Sequence, residues 1–363
     1  MADAPGPASQ AAGSAVASVA DAPAPASQAA GSAVLAPDLD RLVERARSSD
    51  PRALARLVSL IENGAPELRP IMKALAPLTG SARVIGLTGS PGVGKSTITG
   101  ALVKEYRGKG LRVGVIAVDP SSPFTGGALL GDRIRMQEHA TDPGVFIRSM
   151  ASRGHLGGLA TATPQALRVM DAAGFDLVLI ETVGVGQAEV EIASLADTTL
   201  VLVAPGMGDA IQAAKAGILE VADVFAVNKA DRPQAQQAVR DLRNMIALGQ
   251  PRAGEAPGWK TPIVSTVAST GEGVRELVGK LDAHWSWLSE SGERGSRRLA
   301  RAREEVAGIA VAALRRQMSR LPEGRGLDEL AGRVADGGTD PYTAADQLVG
   351  FLTHQDGEHR DRP

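Results

Sequence analysis

The nine residues Gly89-Ser90-Pro91-Gly92-Val93-Gly94-Lys95-Ser96-Thr97 satisfy the pattern G-x-x-x-x-G-K-[ST]. A β-branched run, Arg83 to Thr88, precedes them, and a stretch of helical pattern follows. Glycines let a backbone curl until several N–H groups point inward, and the next helix brings its positive end to the same place, so this is a cradle for phosphate, a P-loop. Lys95 can set its ammonium between β- and γ-phosphates, and the Ser96 hydroxyl can ligate Mg2+.

A second string sits at another strand end: Val224 to Val227 leads into Asn228-Lys229-Ala230-Asp231. The Asp231 carboxylate can accept hydrogen bonds from both N1–H and the exocyclic amine of guanine, while adenine offers neither donor there. Asn228 can bond the purine or tether neighbouring loops, and the Lys229 stem can cover the ring. Ser265, Thr266, Val267 and Ala268 follow a further short run and could close the base pocket. Alone, N-K-x-D would as often be a solvated turn. After a P-loop and at a strand end it points to a guanine reader, and so to GTP and GDP as ligands.

Acids end two more runs. Val113 to Val118 leads to Asp119-Pro120, and Leu177 to Ile180 leads to Glu181-Thr182-Val183-Gly184. In the second, the acid can reach Mg2+ directly or through water while the Gly184 N–H meets the γ-phosphate; loss of that phosphate would release Gly184, a nucleotide-gated switch. Asp132, in a glycine-rich stretch, is a third candidate metal ligand. The plain alternatives are a turn for Asp119 and a helix N-cap for Asp132. Val185 stands where many small GTPases carry a water-orienting Gln, so slow hydrolysis is expected unless Gln187, Arg133, Arg135 or a partner supplies the stabilisation.

The elements that must position these residues follow from periodicity. Residues 1–37 hold an 18-residue tandem duplication, ADAPGPASQAAGSAV from Ala2 and ADAPAPASQAAGSAV from Ala20, too poor in large apolar residues to offset the entropy of ordering, and a disordered tail is expected. Residues 38–81 read as a helical module, with Asp50-Pro51 as a start signal and Asn63-Gly64 as a stop. From 82 to 287, the runs 84–87, 113–118, 145–147, 177–180, 199–203, 224–227 and 263–264 alternate with amphipathic stretches, which predicts an α/β fold with a mostly parallel sheet. Residues 288–363 are helical, led by an Arg-rich helix from Ser296 to Met318 whose Leu299, Val306, Ile309, Val311 and Leu314 suggest a partner or dimer surface.

Composition narrows the classes. With 39 basic against 41 acidic residues there is no field for a nucleic-acid backbone, and zero cysteines exclude disulfides and thiolate metal sites. No apolar run approaches the ~18 to 20 residues of a transmembrane helix, and no Lys or Arg precedes Arg41, so a soluble, cytoplasmic protein without a transit peptide is expected. His139, His155 and His284 show no ligand spacing.

Together, Gly89 to Thr97, Asp119-Pro-Ser-Ser-Pro-Phe-Thr-Gly-Gly with Leu130-Gly-Asp132-Arg, Glu181-Thr-Val-Gly-Val-Gly-Gln-Ala-Glu189, Pro205-Gly-Met-Gly-Asp209 and Asn228 to Asp231 resemble the methylmalonyl-CoA mutase-associated G proteins of the MeaB/ArgK type. The resemblance implies a GTPase chaperone for an adenosylcobalamin-dependent acyl-CoA mutase, gating cofactor delivery and protecting or rescuing the mutase. It implies phosphate and Mg2+ duties for Lys95, Asp119, Asp132 and Glu181. A further switch from Pro205 to Lys215, with Asp209, Gln212 and Lys215, and a homodimer joined through the C-terminal helices also follow from it. Docking of a cobalamin adenosyltransferase is left open. The duplicated tail is not part of the family pattern. A basic-amino-acid kinase or transport component is opposed by Asp231, a nickel metallochaperone by the lack of Cys, and a signal-recognition GTPase by eight scattered Met. A nucleotide-stabilised interaction protein without turnover would look the same in sequence; measured GTP hydrolysis separates the two.

Overall fold

The computed structural model describes residues 36–119, 137–139, 141–151, 162–182, 188–206, 218–248, 258–319, 321 and 326–358. Each expected run becomes a strand: β1 Arg83–Thr88, β2 Val113–Asp119, β3 Val145–Ala151, β4 Leu177–Thr182, β5 Thr198–Val203, β6 Val224–Asn228 and β7 Ile263–Thr266. They form one seven-stranded sheet in the order β3-β2-β4-β1-β5-β6-β7. Every pairing is parallel, so "mostly" becomes "throughout". β4 is buried along its whole length, as expected where helices cover both faces.

Three helices open the described chain, α1 Ala36–Arg47, α2 Pro51–Glu62 and α3 Leu68–Leu75. Asp50 caps α2 as its Asp-Pro signal predicts, accepting from the N–H groups of Arg52 at 2.9 Å and Ala53 at 3.3 Å. Gly64, at φ 58°, carries the chain out of that helix. These helices have no core of their own. Leu54, Leu57, Ile61, Ile71 and Leu75 share one apolar cluster with Ile116, Phe146 and Ile180 of the sheet, and Arg148 on β3 pairs with Glu62. The same face is covered by α5 Thr163–Ala172 and α6 Ala188–Leu195; the opposite face by α4 Lys95–Gly108 and α9 Val274–Glu290. Between α6 and α9 lie α7 Ile218–Val221 and α8 Ala235–Leu248.

α9 continues to Glu290, three residues past the boundary expected at Trp287, and α10 Glu293–Met318, α11 Leu327–Ala335 and α12 Pro341–Glu358 are the last helices among the described residues. The Arg-rich helix is not free of the sheet: its first half docks on the edge where strands begin. Arg297 forks onto Asp223 at 2.9 and 3.0 Å, Arg301 reaches Asp197 at 2.5 Å, and Arg298 donates to the Ala82 carbonyl at 3.0 Å. Asp197 and Asp223 stand just before β5 and β6, and each also accepts from a strand N–H, Val84 at 2.9 Å and Thr199 at 2.8 Å. Aromatic rings close the same root. His284 lies between Thr198 and Asp223 and stacks on Trp287, Trp259 packs against both, and Trp285 lies under Arg83 and Arg294. Farther along α10, Val306, Ile309, Val311 and Leu314 are exposed, as the stripe suggests.

Burial pushes the Asp223 carboxyl up, but the hydrogen bonds and charges of His284 and Arg297 outweigh it and hold it below the ordinary carboxylate value. A carboxylate depressed in the fold contributes stability that is present above the unfolded value of about 3.9 and lost as pH falls through the folded one. Asp223→Asn is therefore expected to cost about 3 kcal/mol at pH 7 by breaking a buried pair. Its melting temperature should also fall less steeply than the parent's below pH 4, a comparison that thermal scans from pH 7 to 3 make directly.

Candidate functional site

The site forms where β1, β4, β2 and β6 end together. Register places Leu87 opposite Glu181 and Ala117 opposite the same Glu181, so the first acid of the Glu181-Thr182 turn sits beside the exit of β1. From there the chain bends through Gly89 to Gly94 and enters α4 at Lys95. Two of its glycines are demanded by neighbours. Gly89 has φ 141°, and a Cβ there would run into the Leu202 carbonyl of β5. Gly94 caps α4 at φ 96°, and its Cβ would lie 2.5 Å from the Asn228 amide nitrogen. The close approach leaves the N-terminus of α4 aimed out of the loop, the geometry that binds anions.

Lys95 is buried and donates to the carbonyls of Gly89 at 2.7 Å and Ser90 at 3.2 Å, so its ammonium lies across the loop mouth. Ser96 Oγ donates to Glu181 Oε1 at 2.7 Å, and both residues are buried. A hydroxyl whose proton goes to a carboxylate keeps its lone pairs for a hard cation, and an oxygen donor set of this kind suits Mg2+. Asp119 ends β2 on the same sheet edge.

Asn228 tethers the neighbouring loops. Its Nδ2 donates to the Val93 carbonyl at 2.8 Å, and its Oδ1 accepts from Thr266 Oγ1 at 3.3 Å and the Ala268 N–H at 3.1 Å. Lys229, at φ 58°, swings its ammonium to the Gly92 carbonyl at 2.5 Å. Asp231 is exposed just beyond them, next to Ala230, whose N–H donates to the Thr266 carbonyl at 3.0 Å. The phosphate loop, the Asn228 turn and the Thr266 turn thus form one hydrogen-bonded unit. Of the remaining expected site residues, Asp132, Gly184 and Gln187 lie outside the described residues, as do Arg133, Arg135, Asp209, Gln212 and Lys215. His139 approaches the Gly100 carbonyl at 3.1 Å and His284 is buried in the arm root; neither faces the loop.

A family model described as methylmalonyl-CoA mutase-associated GTPase MeaB matches residues 54–323. The chain belongs to the MeaB family. It is a GTPase, and guanine nucleotide is its ligand class. A relative from Pyrococcus horikoshii whose name places it among GTPases is 49% identical over 86% of this chain and 97% of its own. GTPase ArgK of Escherichia coli is 39% identical over 58% of this chain and 68% of its own, and the mitochondrial methylmalonic aciduria type A homolog of Caenorhabditis elegans is 33% identical over 72% and 69%. A solved structure titled LAO/AO transport system kinase superposes with a TM-score of 0.65 at 26% identity, covering 87% of this chain and 97% of that one. Among the described residues of this MeaB-family chain, no helix is long and apolar enough to cross a membrane.

Asn228→Ala deletes the amide that joins Val93, Thr266 and Ala268 and leaves a buried carbonyl and N–H without it. The expected loss is about 2–3 kcal/mol in urea unfolding, the sum of such bonds. A variant as stable as the parent would mean that the loop holds its shape without the tether.

Proposed function

We propose that this GTPase is a chaperone that gates adenosylcobalamin delivery to, and protects or reactivates, an acyl-CoA mutase such as methylmalonyl-CoA mutase. The observation that supports the nucleotide part is the hydrogen-bonded unit made by the Val93 carbonyl, Asn228 and Ala268, which joins the loop read as a phosphate cradle to the turn read as a guanine reader. The mutase part is supported by the name of the matching family and by that of the C. elegans relative.

In this reading the loop of Gly89, Ser90, Pro91, Gly92, Val93, Gly94, Lys95, Ser96 and Thr97 wraps the phosphates with its backbone N–H groups, Pro91 alone having none to give. Lys95 neutralises the β–γ region, with its ammonium already at the loop mouth. Ser96, Asp119, Asp132 and Glu181 hold Mg2+, which supplies charge neutralisation at the phosphate oxygens. Gly184 and Gln187 form the γ-phosphate-sensing segment. Asp231 accepts from guanine, the Lys229 stem covers the ring, and Ser265, Thr266 and Val267 complete the base pocket. A homodimer would bury the apolar side chains that α10 exposes, Val306, Ile309, Val311 and Leu314.

Asp231→Asn reverses the donor pattern offered to the purine, so the variant is expected to lose GTP selectivity and gain xanthosine triphosphate; unchanged selectivity would put the base pocket elsewhere. GTP turnover by the intact protein is slow in this reading and rises when a B12-dependent acyl-CoA mutase is added. Turnover that no such mutase alters, together with no retention of the mutase on protein loaded with a non-hydrolysable GTP analogue, would overturn the chaperone reading and leave the GTPase standing.

A further inference from the structure

One buried hydroxyl beside the phosphate site has no part in the reading above. Thr99 lies four residues after Lys95 and three after Ser96, and therefore on the face of α4 that looks at the end of β4. It is fully buried, and its Oγ1 lies 2.9 Å from Glu181 Oε2 and 3.0 Å from the Lys95 carbonyl. Ser96 Oγ holds the other carboxylate oxygen at 2.7 Å. Glu181 is thus straddled by two hydroxyls of one helix, one on each oxygen.

Threonine is a poor choice for a helix interior on propensity alone, since its branched side chain loses rotamer freedom and its hydroxyl competes for the backbone. Its one proton can go to either acceptor, and an ionised carboxylate is the stronger of the two. Glu181 also has the length to span both hydroxyls. Its orientation then depends on Thr99: with Oε2 fixed, rotation about the last side-chain torsion is arrested and Oε1 stays on Ser96.

We propose that Thr99 is a positioning residue for the phosphate site, orienting the Glu181 carboxylate toward Ser96 and so setting the affinity of the nucleotide-loaded protein for Mg2+. The proposal rests on the assignment of Ser96 and Glu181 to the cation. Thr99 itself touches neither nucleotide nor metal.

The two conservative variants separate this role from packing. Thr99→Val keeps the volume and removes the hydroxyl; Thr99→Ser keeps the hydroxyl and removes the methyl. Release of a fluorescent GDP analogue from the full-length protein is followed while Mg2+ is titrated from excess chelator upward, and the thermal midpoint of each variant is recorded. Loss of an outer-shell partner of a metal ligand costs about 10-fold in metal affinity at the low end, so Thr99→Val should need about tenfold more Mg2+ for half-maximal retention. Release in chelator should match the parent's, and Thr99→Ser should track the parent throughout. A Thr99→Val curve superimposable on the parent's overturns the proposal, as does a Thr99→Ser curve shifted as far as that of Thr99→Val. Should Thr99→Val fail to fold, Thr99→Ala takes its place against Thr99→Ser with the same criteria. A parent protein that holds the analogue equally well with and without Mg2+ overturns the metal assignment beneath it, and one that does not hold the analogue overturns the nucleotide pocket.

Discussion

At the exit of β1 the loop backbone lies against a main-chain carbonyl on one side and a side-chain amide on the other, with no room for a Cβ between. The loop crosses the Leu202 carbonyl of β5 at Gly89 and the Asn228 amide at the end of β6 at Gly94, and any Cβ at either place would push the chain off both. That closeness lets one amide side chain hold the loop from below while Ser96 and Glu181 hold the helix start from the side of β4. The N-terminus of α4 is fixed against three strands at once. An anion site made from main-chain N–H groups needs this fixity, because its donors have no torsions of their own with which to adapt.

A parallel sheet places all strand starts on one edge and all strand ends on the other. Here both edges are in use, and by the same strands. β1 runs into the loop, β5 ends at Val203 beside it and β6 at Asn228, and the residues just before their starts, Ala82, Asp197 and Asp223, are where Arg297, Arg298 and Arg301 of α10 dock. The arm is therefore joined to the strands that carry the nucleotide site and not to a separate module, and the first three helices likewise share their core with the sheet.

Much of this was legible in the residues because the chemistry is local. The P-loop and the Asn228 turn are each contiguous, the strands are β-branched runs, and the Asp50 cap is a two-residue signal that the backbone obeys. What escaped is nonlocal. Nothing in periodicity says that Arg297 will find Asp223, that the N-terminal helices lack a core of their own, or that Asn228 will spend its amide on Val93. The contact between Thr99 and Glu181 spans 82 positions of sequence, and the only local hint was a threonine inside a helix. Even the stripe on α10 was half legible: its apolar residues stand exposed, while the arginines in the first half of the helix decide where it sits.

The aromatic packing at the arm root has an optical corollary. The chain has three tryptophans, Trp259, Trp285 and Trp287, and all three surround His284 or the Arg83 and Arg294 guanidiniums. Native ultraviolet emission is therefore a label-free gauge of how the arm is seated, and a nucleotide arriving at the far rim changes its colour only if the strands between relay the event.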